Sequence, residues 1–296
     1  MHDYIHYIQT LIERGGPQPE DYPALDAWIS QLYIALDSGA LPSDTIGHVR
    51  SAFASVLSPS TMHGFAYTKP YGYAGDFEII DRHYLTDIAS EPHLATWDRY
   101  WHAGAAACAV RNRKTYFHDL LRHHAEAAGG RRLNVLNVAS GPARDVFEFL
   151  SGGTHDVHFE CIEHDPRAIA HATNLCCGFS EQVTFVQADV LRFRPRRSYD
   201  LIWAAGLFDY FSDRVFALAL RRLLPGVAPR GELVIGNFSI ANPNIYWLRF
   251  CDWLLYHRSD EQLIALAAGA GAHPERIHVR QEPAGVNLFL HITPEK

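Results

Sequence analysis

From Leu133 onward the sequence changes its period, and that change limits the possible folds more than any other feature. Short apolar runs at 133–138, 157–162, 183–187, 199–203 and 231–237 alternate with stretches of helical spacing. Strands separated by helix-length connections pair in parallel through crossovers, and a parallel strand buried on both faces reads as a continuous apolar run. The texture changes once more near the end. Ile277 and Val279 alternate with polar residues, Val286, Leu288, Leu290 and Ile292 do the same, and no helix intervenes, which predicts an antiparallel hairpin. The expected architecture is a doubly wound α/β sheet closed by that hairpin.

The first part of the chain reads as helices. Ile5, Ile8 and Ile12 recur at helical spacing before Gly15-Gly16-Pro17, and Leu25, Trp28, Ile29, Leu32 and Leu36 form an apolar stripe. A third helix is expected from the Ser43-Asp44 cap to about Leu57. Residues 60–76, with Gly64, Pro70, Gly72 and Gly75 among four aromatics, read as loop. Helical spacing resumes to about Ala128, and Gly129-Gly130 marks a boundary, so residues 1–128 are expected as a helical cap or substrate lid and residues 129–296 as the sheet domain.

Bulk properties exclude several functions. A formal charge of −7 gives phosphates no basic face, which argues against a nucleic-acid partner. The clusters Arg111, Arg113, Lys114 and Arg192, Arg194, Arg196, Arg197 read as local solvated faces. Five cysteines are an odd number without C-x-x-C spacing, pointing to free thiols in a reducing cytoplasm. The first residues lack a basic segment followed by an apolar one, and no run nears the ~20 apolar residues of a membrane helix, so neither signal peptide nor membrane partner is expected. Among eighteen histidines only His2 and His6 share a helical spacing that suits a metal, without a third ligand, so no metal site is expected.

Residues 134–145, Asn-Val-Leu-Asn-Val-Ala-Ser-Gly-Pro-Ala-Arg-Asp, describe a buried strand turning sharply into a helix, with Pro142 suited to the first helical position. A ligand over this turn lies at the carboxyl end of the sheet, where open α/β folds bind. Dinucleotide sites use three glycines to admit a pyrophosphate; here Gly141 stands alone and Pro142 removes a donor, which favours a ligand without phosphates. Glu163 ends the next strand, placed to accept both ribose hydroxyls, while Asp165 before Pro166 suits a helix cap. Asp189, one strand later, is placed to accept from an adenine amine. The candidate cofactor contacts are Arg113, Ala139, Ser140, Gly141, Asp145, Glu163, His164, Asp189, Val190, Gly206 and Phe208.

With Gly141, Glu163 and Asp189 in this order, the chain from Leu133 onward resembles class I S-adenosylmethionine (SAM)-dependent methyltransferases. The resemblance implies a Rossmann-like seven-stranded sheet, makes these three residues the methionine turn, the ribose acid and the adenine acid, and places residues 203–211 toward methyl group and substrate. Phe208, Tyr210 or Phe211 could then hold the sulfonium by a cation–π contact, or pack on the helix at 215–224. The stretch Lys69-Pro70-Tyr71-Gly72-Tyr73-Ala74-Gly75-Asp76-Phe77-Glu78, with residues 110–113 and 253–258, is similar to the PhcB-like subgroup of 3-hydroxypalmitic acid methyl ester biosynthesis. That similarity points to a small-molecule carboxylic acid as acceptor. A carboxylate is ionised near neutral pH and needs no base; a hydroxyl or amine would need one, such as Asp209 or a histidine. Tyr73, Tyr210 and Asn237 are the residues expected to orient the acceptor, and Arg111 or Arg113 to hold a carboxylate in a fork. Two other readings keep the cofactor: intramolecular alkyl transfer releasing methylthioadenosine, as in azetidine-2-carboxylate synthases, and a SAM-binding module without turnover.

Overall fold

Seven strands form one mixed sheet in the order β3-β2-β1-β4-β5-β7-β6 in this computed structural model, which describes residues 2–153 and 156–294. The strands are β1 (Leu133–Val138), β2 (Val157–Glu163), β3 (Val183–Gln187), β4 (Tyr199–Ala204), β5 (Val227–Phe238), β6 (Ile277–Gln281) and β7 (Asn287–Ile292). The first five are parallel; β7 runs antiparallel between β5 and β6. The expected hairpin is therefore present, and its second strand reaches back to pair with β5. That strand is longer than its apolar run: it begins at Val227, and its register shifts beside Tyr199 and Leu201. Gly231 sits at this irregularity, where a Cβ would lie 2.7 Å from the Tyr199 carbonyl oxygen.

The helices are α1 (His2–Glu13), α2 (Tyr22–Asp37), α3 (Thr45–Ala52), α4 (Met62–Thr68), α5 (Phe77–Leu85), α6 (Pro92–Ala103), α7 (Ala105–Ala128), α8 (Arg144–Ser151), α9 (Pro166–Leu175), α10 (Asp213–Leu223), α11 (Ile245–Phe250) and α12 (Asp260–Gly269). The chain divides into two compact units. One comprises Met1–Cys108 with Pro243–Leu254, the other Ala109–Asn242 with Leu255–Lys296. The division thus falls inside α7 rather than at the Gly129-Gly130 pair, because Phe117, Leu120 and Leu121 of α7 belong to the core of the sheet.

In the sheet unit, strand alternation splits the core into two layers. Leu136 and Val138 of β1 share one face with Ile202, Leu233 and Ile235, covered by α10 and α12 through Phe216, Leu220 and Leu263. Leu133 and Val135 point to the other face, where Trp203, Val234 and Phe289 meet Phe117 of α7 and Val146 and Phe149 of α8.

In the helical unit, Trp28, Phe53, Trp97, Trp247 and Phe250 interlock, with ring centroids of neighbours 4.9–6.2 Å apart. Two expectations are corrected here. The third helix stops at Ala52, because Ala54 adopts a left-handed φ of 45° and the chain continues as a 3-10 turn over Ala54–Leu57. Residues 62–68, expected as loop, form α4. The Thr61 side chain caps it by accepting from the Gly64 N–H, and Met62, Phe65 and Ala66 are buried. Gly64 is a close-packing glycine: a Cβ there would stand 1.9 Å from the Ser58 carbonyl oxygen. Among the described residues, no helix is long and apolar enough to cross a membrane.

Candidate functional site

The parallel strands end together, and the turns leaving β1, β2, β3 and β4 build the site. After β1 the backbone is left-handed at Ala139 (φ 52°), Gly141 (φ 52°) and Ala143 (φ 51°). Two alanines in that region are strained by about 1–2 kcal/mol each, and such strain gathers at functional turns. Because of this winding α8 begins at Arg144, not at Pro142, which stays in the turn ahead of it. The missing Cβ of Gly141 faces open space, so a ligand can approach its backbone.

This turn is stitched to the end of β2. The Ser140 N–H donates to the Ile162 carbonyl (3.2 Å) and the Gly141 N–H to Glu163 Oε2 (3.0 Å). Glu163 Oε1 accepts from the backbone N–H groups of His164 (2.7 Å) and Asp165 (3.0 Å) and from His164 Nδ1 (2.9 Å). A carboxylate offers about four lone-pair sites. Oε1 is therefore filled, and Oε2 alone keeps capacity for a ribose hydroxyl, in place of the two-oxygen contact expected from sequence. The His164 side chain is 65% exposed, and Asp165 caps α9 by accepting from the Arg167 N–H. Beyond β3, Asp189 is half exposed; its Oδ1 accepts from the Leu191 N–H (2.8 Å), and Arg192 lies 3.8 Å from Oδ2. The Val190 side chain belongs to the core layer of β1 and β4.

Between the turns after β1 and β4 lies Arg113 of α7, only 7% exposed. Gly206 makes room for it: a Cβ there would stand 2.8 Å from Arg113 Nη1. Arg113 is coupled to two buried carboxyls. Asp145, at the start of α8, accepts from the Val146 N–H (2.9 Å), and Asp209 accepts from the Phe238 N–H at the end of β5 (2.6 Å). Burial pushes both up to about 6, against the opposing pull of Arg113.

Two expected contacts take other roles. The Phe208 side chain is completely buried against Phe216 and Phe211, with centroids 4.7 and 5.4 Å away, so its ring is core and cannot meet a sulfonium. Asn237 is also completely buried: its Nδ2 donates to the carbonyls of Phe238 (3.0 Å) and Tyr256 (2.9 Å), and its Oδ1 accepts from Arg258 Nη1 (2.8 Å). Filled by protein partners, it does not serve as a substrate donor. Tyr210 is half buried on the 3-10 turn Phe208–Tyr210.

Arg258, whose individual role sequence reasoning missed, ties this region together. It is buried, donates to the carbonyls of Phe208 (3.3 Å) and Phe211 (2.5 Å), and pairs with Asp213 (2.9 Å). Its signal was an arginine closing an aromatic stretch, which by itself cannot be told from a surface charge.

Tyr73 lies in the helical unit, half buried. Much of its unusual loop is occupied in shaping itself. Lys69, Gly72 and Gly75 are left-handed, Tyr71 donates to Glu78 Oε2 (2.6 Å), and Asp76 caps α5 by accepting from Glu78 and Ile79. Lys69 Nζ donates to the Cys251 carbonyl (2.9 Å).

Among the described residues, the buried Asn137 Nδ2 and Ser140 Oγ at the carboxyl edge find no hydrogen-bond partner. Together with the Glu163 and Asp189 acids, they fit a nucleoside carrying an amino-acid tail better than a diphosphate, for which Pro142 offers no donor.

Residues 135–231 match the family model described as a methyltransferase domain. No curated protein matches the chain significantly. Among solved structures, a possible exported protein from Bordetella parapertussis is similar at TM-score 0.62 and 20% identity, over 74% of this chain and 80% of that one. A candidate O-methyltransferase from Nostoc punctiforme PCC 73102 is similar at TM-score 0.50 and 14% identity, over 82% and 72%. The N-methyltransferase NodS from Bradyrhizobium japonicum WM9, solved with S-adenosyl-L-homocysteine, matches at TM-score 0.44 and 19% identity, over 61% and 87%. Strand order and the domain match agree: residues 135–231 match a methyltransferase domain, and the sheet is the class I methyltransferase type of Rossmann-like fold.

Proposed function

We propose that the protein transfers the methyl group of SAM to the carboxylate of a small organic acid, giving a methyl ester and S-adenosylhomocysteine. The observation that carries the cofactor half is the stitched edge: Gly141 and Glu163 share a hydrogen bond across the ends of β1 and β2, and Asp189 follows at the end of β3. Glu163 Oε2 would receive a ribose hydroxyl and Asp189 the adenine amine. SAM, when bound, supplies an already activated methyl group. The chain's own part is then alignment and exclusion of water.

The acceptor half rests on the resemblance of residues 69–78, 110–113 and 253–258 to the PhcB-like subgroup, and on chemistry: an ionised carboxylate attacks without surrendering a proton. Tyr73 and Tyr210 are proposed to orient it, and the helical residues 1–128 to serve the acceptor side as its cap. The absence of nucleic-acid partners, motivated by the charge of −7, and a cytoplasmic setting, motivated by the free cysteines, belong to the same proposal.

The test is to incubate the protein with SAM, with and without 3-hydroxypalmitic acid, and to identify both products. Methyl ester with S-adenosylhomocysteine supports the reading. Methylthioadenosine dominating the acceptor-free reaction would replace methyl transfer by intramolecular alkyl transfer. Binding of SAM without either product, across a panel of carboxylic acids, would leave only a binding module.

A further inference from the structure

Strand β7 opens on a buried asparagine with half of its amide unused. Asn287 is completely buried, and its Nδ2 donates to the Leu288 carbonyl (3.1 Å). That bond fixes which way the amide stands, because an oxygen turned toward the carbonyl would meet a second acceptor. The atom left over is Oδ1, which finds no hydrogen-bond partner among the described residues. A buried acceptor left unpaired is destabilising, and few such atoms persist in a folded protein without a reason.

The surroundings put this amide at the carboxyl edge of the sheet. Because β7 runs antiparallel, its first residue pairs with Phe238, the last of β5. Alternation gives the Asn287 side chain the face of Phe289 and Val234. Gly236 of β5 lets the amide lean toward β4: a Cβ there would stand 3.1 Å from Asn287 Nδ2 and 3.2 Å from the Cα of Ala205. Ala205 and Gly206, in the turn after β4, are only half buried, so a ligand in the crevice can come close to this place. In sheet order β2 and β3, with Glu163 and Asp189 at their ends, lie to one side of β1, and β4, β5 and β7 lie to the other. A nucleoside claimed by the two acids leaves the ends of β5 and β7 to the molecule that takes the methyl group.

We propose that Asn287 is a specificity-determining residue of the acceptor site, its Oδ1 accepting a hydrogen bond from a hydroxyl or ammonium group that the acceptor carries besides its carboxylate. This rests on the methyl-ester reading above and narrows the acceptors that it admits. An amide oxygen repels a carboxylate, so Asn287 does not hold the reacting end; it reads a donor elsewhere on the molecule. An acceptor without that donor leaves the oxygen unpaired, whereas one that carries it supplies the missing bond, and the site favours the second.

The test compares acids within one preparation of protein. Octanoic and palmitic acids, each with its 3-hydroxy and 3-amino derivatives, are offered with SAM, and kcat/KM for methyl-ester formation is measured. The unaltered protein is expected to favour a hydroxy or amino derivative over its parent acid by roughly tenfold or more, as befits one hydrogen bond supplied to a buried partner. The derivative that leads names the donor. In Asn287→Ala the preference should shrink to within about twofold, while calorimetry finds S-adenosylhomocysteine bound as tightly as by the unaltered protein. A ratio taken within one preparation does not depend on how much of it folds, so a poorly folding variant still answers. No preference in the unaltered protein, or one that Asn287→Ala keeps, overturns the proposal and leaves the ester reading standing. A preference lost together with S-adenosylhomocysteine affinity also overturns it, since Asn287 would then only support the edge of the sheet. If none of the acids yields an ester, the ester reading falls and this proposal with it.

Discussion

Glu163 does two things at once: it closes the turn after β1 through Gly141 and leaves one oxygen lobe for a ligand. Glu163→Ala should therefore weaken S-adenosylhomocysteine binding by about 1.5–3 kcal/mol, read by calorimetry. Gly206 is constrained differently, by the guanidinium above it. Gly206→Ala should displace Arg113 and lower cofactor affinity, with a melting temperature that changes less than the affinity does. The carboxyl of Asp209 gives a stability prediction of opposite sign from most acids. Its folded value, about 6, lies above the ordinary carboxylate value, so the folded state binds the proton more tightly. Stability from this group rises as pH falls from about 6 toward 4, and at neutral pH the ionised form is a burden. Asp209→Asn should then raise the denaturant midpoint at pH 7, as chemical denaturation would show. At this scale the sequence told less than its order suggested. Glu163 and Asp189 stand at strand ends where a ligand would meet them, but Phe208 and Asn237, equally well placed along the chain, face inward. Which way a residue at a strand end turns is decided by packing partners such as Phe216 and Arg258, far off in sequence.

At the level of elements, the strands were legible as apolar runs or, in the closing hairpin, as apolar–polar alternation, and α4 was not, because its glycine looks like a breaker. Gly64→Ala tests the packing account: with a backbone oxygen 1.9 Å from the new carbon, it should destabilise the protein by about 1–3 kcal/mol or more, seen as a lowered melting temperature. Helix α7 is fastened to the sheet by a polar ladder that no local pattern announced. Glu232 of β5 accepts from His124 Nε2 (2.7 Å) and His291 Nδ1 (2.8 Å), and Tyr116 of α7 meets His291 Nε2 (2.7 Å). Burial opposes ionisation of Glu232, yet its histidine partners hold the carboxyl far below the usual carboxylate range. A depressed acid contributes stability that is present above its unfolded value, near 4.3, and lost as pH falls below that point. The stability gap between the unaltered protein and Glu232→Gln should thus be widest at neutral pH and shrink below about pH 4, as chemical denaturation at several pH values would show.

For the molecule as a whole, the sheet unit was readable and the helical unit only in outline. Parallel strands carry their signal locally, whereas the helical core is completed by Trp247 and Phe250, more than a hundred residues beyond the helices they join. If Tyr73 acts on the acceptor, Tyr73→Phe should lower turnover while leaving S-adenosylhomocysteine affinity unchanged and adding no new titration to the pH–rate profile. The return of residues 243–254 to the first unit also sets an order on biosynthesis. As the chain leaves the ribosome, α1 to α6 emerge first, yet the tryptophan and phenylalanine that seal them arrive only after β5 has been made. This unit must wait, partly unsealed, for a late-made piece, so its folding is coupled to synthesis of most of the sheet, and a nascent chain stalled before residue 243 should remain open to protease in helices α1 to α6.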